Sequence, residues 1–322
     1  MPHPSIPTTR LAPSPTGALH LGNARTFLLN WAMARRFDWR IVLRIDDLDG
    51  PRIKASADRD AIDILGWLGI DYDEGPFYQT QARDRYAHAW RQLAARGLIY
   101  PCHCTRSQIQ AASLSAPQEG DHELRYPGTC RPAQPQPLVV DDDTVADTIA
   151  SAAWRLRVPD EPIAYVDQWR GAQSSHVQRE VGDFLVFTRQ GTPAYQLAVV
   201  CDDDAQAITH VVRGDDLLAS TARQRILQDF LGIQPLPLYW HFPLVVGPDG
   251  RRLAKRHGDS RIAAYRDAGV PATRILGLLA EWSGLGPREE MDAREFARRL
   301  DVGRIPRTPL VFTAEDHAWL TR

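Results

Sequence analysis

Apolar and polar positions along the 322-residue chain follow two rhythms in turn. Residues 8–11 read as a short strand, followed by the loop Ala12-Pro13-Ser14-Pro15-Thr16-Gly17. From residue 21 to 37 the apolar residues Leu21, Ala24, Leu28, Trp31 and Ala32 recur at three- and four-residue spacing, which predicts a helix. Residues 41–45 predict a buried strand closed by the acidic run Asp46-Asp47-Leu48-Asp49. Ser56 is placed to cap a helix that runs to about Leu68, and a further helix over 82–96 is stopped by Gly97. Strand, loop, helix, strand, helix is the order of an α/β protein built on a parallel sheet.

The rhythm lapses between 106 and 137, where Ser, Gln and Pro accumulate, as expected of an insertion. Strand patterns return at 153–158 and 163–166, and again at 184–188, 195–201 and 209–213. A helix over 217–230 and a strand over 239–246 follow, then a basic loop over 247–260. Residues 262–322 read as short helices broken at Pro271, Pro287, Pro306 and Pro309.

Composition narrows the class. With 43% hydrophobic and 24% charged residues the chain is ordinary globular protein, not a collagen, a disulfide scaffold or a disordered tail. No apolar run approaches the roughly 18–20 residues of a membrane helix, so no membrane partner is expected. Residues 1–9 lack an apolar signal core, and a cytoplasmic location is expected. A net charge of −2 excludes coating nucleic acid by bulk charge. Of the 38 basic residues only Lys54 and Lys255 are lysine. Cys102, Cys104 and Cys130 cluster in the insertion, while Cys201 follows the apolar run Ala198-Val199-Val200 and reads as a buried small hydrophobe. In a reducing compartment such a cluster points to a metal rather than to disulfides. Spacing alone suggests three cysteines with His103 or His122 as the fourth ligand.

Two stretches carry candidate chemistry. Pro13-Ser14-Pro15-Thr16-Gly17-Ala18-Leu19-His20-Leu21-Gly22-Asn23 lies between a strand and a helix. Its glycines allow close backbone approach, a helix N-terminus attracts phosphate, and His20 can donate to phosphate oxygens. An ordinary βα turn has the same form. In Gly250-Arg251-Arg252-Leu253-Ala254-Lys255-Arg256-His257-Gly258 the crowded cations suit a loop that closes over a triphosphate. Lys255 amid arginines suits a point-charge phosphate ligand, and a solvated basic loop would share the composition.

Together the two stretches resemble the paired signatures of the class I aminoacyl-tRNA synthetases. Arg10-Leu11-Ala12-Pro13-Ser14-Pro15-Thr16-Gly17-Ala18-Leu19-His20-Leu21-Gly22 and Arg44-Ile45-Asp46-Asp47-Leu48-Asp49 resemble the glutamyl branch. So do Ala194-Tyr195-Gln196-Leu197-Ala198-Val199-Val200, Asp202-Asp203 and Thr209-His210-Val211-Val212-Arg213-Gly214-Asp215-Asp216-Leu217-Leu218. The chain is most similar to the short paralogues of that branch, the glutamyl-queuosine tRNA(Asp) synthetases. The resemblance spans residues 8–285 and is weak at 106–125.

That resemblance implies a class I Rossmann-type parallel sheet with a zinc-containing insertion and a C-terminal helical subdomain. It divides the chain into 1–99, the first half of the catalytic domain; 100–175, the insertion; 176–246, the second half; and 247–322, the basic loop and helical subdomain. The implied enzyme uses ATP with Mg²⁺ to form glutamyl-adenylate from L-glutamate without tRNA. It then transfers glutamate to the queuosine base in the anticodon of tRNA(Asp). The implied glutamate contacts are Arg10, Leu11, Ala12, Pro13, Ser14, Asp46, Tyr195 and Arg213. Arginines at 10 and 213 suit the two carboxylates, Asp46 the ammonium and Tyr195 a hydroxyl contact. The implied ATP contacts are His20, Gly22, Asn23 and Lys255, with His20 and Lys255 catalytic. One structural zinc is implied on Cys102, Cys104, Tyr126 and Cys130. Two positions depart from the family pattern: Asp46 stands where Glu is usual, and Arg252-Leu253-Ala254-Lys255 replaces Lys-Leu-Ser-Lys. The length leaves no room for a helical anticodon reader, which favours the queuosine activity, and a monomer is expected. The alternatives are a truncated glutamyl-tRNA synthetase charging the tRNA 3′ end and a decayed core that only binds tRNA or nucleotide. Basic residues from Arg294 to Arg307 suit either phosphate contact or a solvated helix face.

Overall fold

Strand β1 (Thr8–Leu11) pairs in parallel with β2 (Arg40–Ile45), from Thr8 opposite Arg40 to Leu11 opposite Leu43. Parallel neighbours need a crossover, and helix Leu21–Arg36 supplies it. These elements belong to a computed structural model that describes residues 6–113, 125–251, 253 and 260–322. Strand β3 (Glu74–Tyr78) continues the parallel order beside β2.

Strand β4 (Ile99–Cys102) leaves this sheet and pairs antiparallel with β5 (Ala153–Leu156). Strands β6 (Ile163–Asp167) and β7 (Gly171–Ser175) form a hairpin. Strand β8 (Leu185–Phe187) completes the small antiparallel sheet in the order β4-β5-β8. Strand β9 (His210–Gly214) and β10 (Leu238–Phe242) return to parallel pairing, and β10 also pairs in parallel with β6. The Thr209 N–H donates to the Thr8 carbonyl at 2.9 Å, which draws β9 alongside β1. The halves therefore run outward from the β1–β9 junction, as β1-β2-β3 and as β9-β10-β6-β7. This reversal of strand order is the place where α/β sheets bind ligands, at the carboxyl ends of the strands. The expected α/β architecture with its parallel sheet is thus present.

The described C-terminal elements close onto the same core. The short strands β11 (Val245–Val246) and β12 (Leu310–Val311) pair in parallel. Helix Leu21–Arg36 buries Leu21, Leu28, Leu29 and Met33 in one hydrophobic cluster with Ile275, Leu279, Phe296 and Leu300 from the C-terminal helices. A second cluster joins Trp90, Trp154, Val186, Leu197 and Leu227, and so ties the small antiparallel sheet to its neighbouring helices.

Three local expectations change. Residues 195–201 belong to helix Tyr195–Ala205, not to a strand. The run from Gln196 to Asp203 is buried throughout, so it has no polar face to reveal a helical period. Ser56 precedes helix Ala57–Trp67 but makes no side-chain cap bond; Asp58 and Asp60 in the first turn meet the helix dipole instead. The strand expected over 239–246 is two, because β10 ends at Phe242 and β11 starts only at Val245. Between them the Pro243 carbonyl accepts from Arg25 Nη1 at 2.8 Å.

Candidate active site

A cleft of about 570 Å³ opens at the carboxyl ends of β1, β2 and β9. Arg10, Ala12, Pro13, Ser14, His20, Gly22, Asn23, Asp46, Tyr195 and Arg213 all line it. The expected contact Leu11 does not, and its side chain lies in the core. Lys255 lies outside the described residues.

One end of the cleft is a helix N-terminus. His20 caps helix Leu21–Arg36, and its Nδ1 accepts from the Asn23 N–H at 3.4 Å. A Cβ at Gly22 would stand 3.3 Å from that imidazole, so glycine lets the ring fold back over the first turn. The first turn carries no acidic residue, so no local carboxylate neutralises the positive end of the helix dipole. The Leu21 N–H donates to the Ser260 carbonyl at 3.0 Å, and the Ile262 N–H to the Leu19 carbonyl at 2.9 Å. Leu253 is buried in the cleft lining. Both described flanks of the basic loop are therefore anchored beside His20.

Behind the cleft floor stands a buried charge network. Arg44 Nε donates to Asp46 Oδ1 at 2.7 Å, and its Nη1 donates to Asp203 Oδ1 at 2.7 Å. Arg10 Nε reaches the same Asp203 oxygen at 3.3 Å. Burial disfavours the Asp203 charge, but the guanidiniums of Arg10 and Arg44 outweigh it and hold the carboxyl below its ordinary range. At Asp46 burial wins over Arg44 and moves the carboxyl upward. The adjacent Asp202 accepts from Gln79 Nε2 at 2.7 Å, Tyr86 Oη at 2.9 Å and Arg85 Nη1 at 2.5 Å.

Arg213 is held differently. Its Nε donates to His241 Nε2 at 2.9 Å, and its Nη2 donates to Thr221 Oγ1 at 3.0 Å and to Gln224 Oε1 at 2.9 Å. Its Nη1 is buried and has no hydrogen-bond partner among the described residues. His241 Nδ1 lies 2.6 Å from Asp167 Oδ2. Burial pushes His241 down to about 4, so at neutral pH it is an uncharged acceptor towards Arg213. Tyr195, the first residue of its helix, remains 41% exposed at the cleft wall.

Sequence reasoning named no role for Arg44, Asp203, Asp167 or His241. Arg44 carried a usable signal, a charge beside the apolar run Ile41-Val42-Leu43 inside its strand, since a buried charge needs partners. His241 and Asp167 are single polar letters in β10 and β6, and nothing in their spacing joins them.

A second cluster lies at the end of β4. The sulfurs of Cys102, Cys104 and Cys130 lie within 4.8 Å of one another, with Cys104 and Cys130 at 3.4 Å. Tyr126 Oη is 3.5 Å from Cys102 Sγ and 3.9 Å from Cys104 Sγ. Metal–sulfur bonds of about 2.3 Å in a tetrahedron put the sulfurs about 3.8 Å apart, so this group can hold a metal ion. Arg155 Nε donates to Cys102 Sγ at 3.3 Å, and its guanidinium lies 3.8 Å over the Tyr126 ring. His103 is exposed and outside the group, and His122 lies outside the described residues. Cys201 is buried and its thiol is pushed upward by burial and by Asp202, as fits an inert packing residue.

The sequence pattern of tRNA synthetases class I (E and Q), catalytic domain, matches residues 7–319. The chain belongs to this synthetase family. The synthetase is 43% identical to the Glutamyl-Q tRNA(Asp) synthetase of Symbiobacterium thermophilum, over 97% of this chain and 98% of that one. It is 37% identical to the Glutamate–tRNA ligase of Trichlorobacter lovleyi, over 97% of this chain and 64% of that one. A crystal structure of a glutamate tRNA ligase from Elizabethkingia meningosepticum in complex with its amino acid superposes with a TM-score of 0.79 at 25% identity. That match covers 98% of this chain and 68% of the ligase. Among the described residues of the synthetase no helix is long and apolar enough to cross a membrane.

The buried imidazole makes stability depend on pH. His241 titrates lower in the folded chain than in the unfolded one, so acid protonates the unfolded chain first. Its stabilising contribution is complete above about pH 6.5 and is lost progressively as pH falls towards the folded value. Urea unfolding at pH 7 and pH 5 should show a lower midpoint at pH 5, and a smaller drop in His241→Gln.

Proposed function

We propose that this synthetase activates L-glutamate with ATP and Mg²⁺ to glutamyl-adenylate, without tRNA, and then transfers glutamate to the queuosine base in the anticodon of tRNA(Asp). The observation that carries the activation step is Arg213, a buried guanidinium lining the cleft with Nη1 unpartnered among the described residues. A buried, unsatisfied cationic donor is costly, and a substrate carboxylate relieves that cost. Similarity over nearly the whole length of the Symbiobacterium thermophilum protein supports the queuosine step.

In this reading Arg213 and Arg10 take the carboxylates of glutamate, Asp46 its ammonium and Tyr195 a hydroxyl contact. Ala12, Pro13 and Ser14 form the wall. His20, Gly22 and Asn23 meet the ATP phosphates at the helix N-terminus. A glutamate carboxylate oxygen forms a bond to the α-phosphorus, the bond to the bridging oxygen breaks, and pyrophosphate leaves with that electron pair. Lys255 neutralises the charge that develops on the departing phosphates. A nucleophilic group of the base then forms a bond to the glutamyl carbonyl carbon and gives up its proton, the acyl–phosphate bond breaks, and AMP leaves with that electron pair. Cys102, Cys104, Tyr126 and Cys130 hold one zinc ion, which pins an insertion with little apolar sequence of its own.

Three outcomes follow. Incubation with radiolabelled glutamate, ATP and tRNA(Asp) should label the queuosine-containing tRNA; label on tRNA(Glu), or equal label on unmodified tRNA(Asp), overturns the assignment. Lys255→Ala should lower glutamate-dependent ATP–pyrophosphate exchange by about 10²–10³-fold with an unchanged circular dichroism spectrum. Undiminished exchange in that variant removes the phosphate role, and no exchange in the wild type points to a non-catalytic core. Metal analysis should find one zinc per chain, and Cys104→Ser should lose the metal and melt at a lower temperature; a metal-free wild type purified with zinc rejects the site.

A further inference from the structure

Three neighbouring strands place Asp167, His241 and Arg213 in a row. Arg213 on β9 stands level with His241 on β10, and Tyr239 on β10 stands level with Asp167 on β6. Side chains alternate along a strand, so these residues share one face of the sheet. Asp167 and His241 are both completely buried. Asp167 Oδ1 accepts the N–H groups of Trp169 at 3.0 Å and Arg170 at 2.6 Å, while Oδ2 faces His241 Nδ1. The carboxylate is thus fixed by its own backbone, and it commits the imidazole proton to Nδ1. The Nε2 lone pair is then free to accept from Arg213 Nε.

We infer that Asp167 and His241 are positioning residues for substrate recognition: they hold Arg213 aimed at the cleft through neutral contacts alone, so that its charge awaits a carboxylate. This rests on the reading of Arg213 as a glutamate ligand. The other acceptors on Arg213 are Thr221, Gln224 and the Leu217 carbonyl, which are neutral as well. Arg10 and Arg44, by contrast, both bond Asp203. A carboxylate in place of His241 would fix Arg213 equally well but would cancel the charge that the substrate needs. A neutral imidazole of one tautomer fixes it and leaves the charge. The opposite tautomer would set Nε2–H against Arg213 Nε–H, donor against donor, and turn the guanidinium away. The relay therefore serves selection of an acid over its amide, because a carboxamide leaves the buried guanidinium uncompensated.

The test measures steady-state ATP–pyrophosphate exchange with glutamate and with glutamine in four variants. His241→Phe removes the acceptor, and Asp167→Asn, nearly isosteric, offers a donor to Nδ1 and drives the imidazole to the other tautomer. Both should raise the glutamate KM by about tenfold or more, the worth of one hydrogen bond to a charged group, and narrow the preference for glutamate over glutamine. The kcat and the ATP KM should stay within about twofold in both. His241→Gln restores an acceptor and should return the glutamate KM to within about threefold of wild type. Equal effects in His241→Phe and His241→Gln, or an ATP KM that rises in step, overturn the inference. Arg213→Leu separates the two levels: an unchanged glutamate KM there defeats the underlying reading. A raised KM in Arg213→Leu with none in His241→Phe and Asp167→Asn defeats only the relay. Nitrogen-15 spectra of the wild-type imidazole provide a check that needs no variant to fold; an Nε2–H tautomer rejects the relay.

Discussion

The guanidinium of Arg44 is the contact on which the substrate end of the cleft depends. It is wholly buried at the carboxyl end of β2, and it joins Asp46 in its own strand–loop junction to Asp203 in helix Tyr195–Ala205. An unpaired charge at that depth would be prohibitive, so the chain must deliver both carboxylates to it. Satisfying Arg44 therefore fixes where the loop after β2 and the helix of the second sheet half come together. The same Asp203 oxygen that meets Arg44 also meets Arg10 from β1. One buried cation thus sets the relative positions of three elements from both halves of the sheet.

The other end of the cleft is fixed by backbone rather than charge. Residues 19–21 and 260–262 exchange main-chain hydrogen bonds, which brings two stretches far apart in sequence to one place. Glycine at position 22 lets His20 lie against the helix it caps. This division suits the two parts of the proposed substrate pair. In that reading the phosphates meet the positive end of a helix, and the amino acid meets a side-chain network whose charges are individually placed.

What was legible in the sequence follows the same physics. The loop from Pro13 to Asn23 could be read because glycine, proline and a cap residue leave local signals, and it does line the cleft. Arg10, Asp46 and Arg213 could be named through family resemblance, and the cleft holds all three. Helix Tyr195–Ala205 was misread because it is buried from Gln196 to Asp203, which erases the contrast between its faces. Asp167 and His241 were missed for a different reason. They meet only because β6 and β10 pair, and strand pairing across 74 residues leaves no periodicity to find. Resemblance, not spacing, supplied Tyr126, whose oxygen lies 3.5 Å from Cys102 Sγ and 3.9 Å from Cys104 Sγ, while spacing had pointed to a histidine.

Charge balance across the amino-acid end explains why its two cleft arginines differ. Asp46 and Asp203 meet Arg44 and Arg10, Asp202 meets Arg85, and Asp167 stands behind His241 as a further buried carboxylate. None of these carboxylates bonds Arg213, whose hydrogen-bond partners are all neutral. Glutamate carries two carboxylates and one ammonium and so brings one net negative charge. In the proposed reading one of those carboxylates pairs with Arg213, where glutamine offers an uncharged amide instead. Charge alone does not separate glutamate from aspartate, which carries the same balance. That choice must rest on reach. Asp46 is one methylene shorter than the glutamate usual at its position, and its carboxylate is drawn back by Arg44 at 2.7 Å. If Asp46 takes the ammonium, as proposed, Arg44 fixes one end of the amino acid and the relay on Arg213 the other, so chain length is read between two held points.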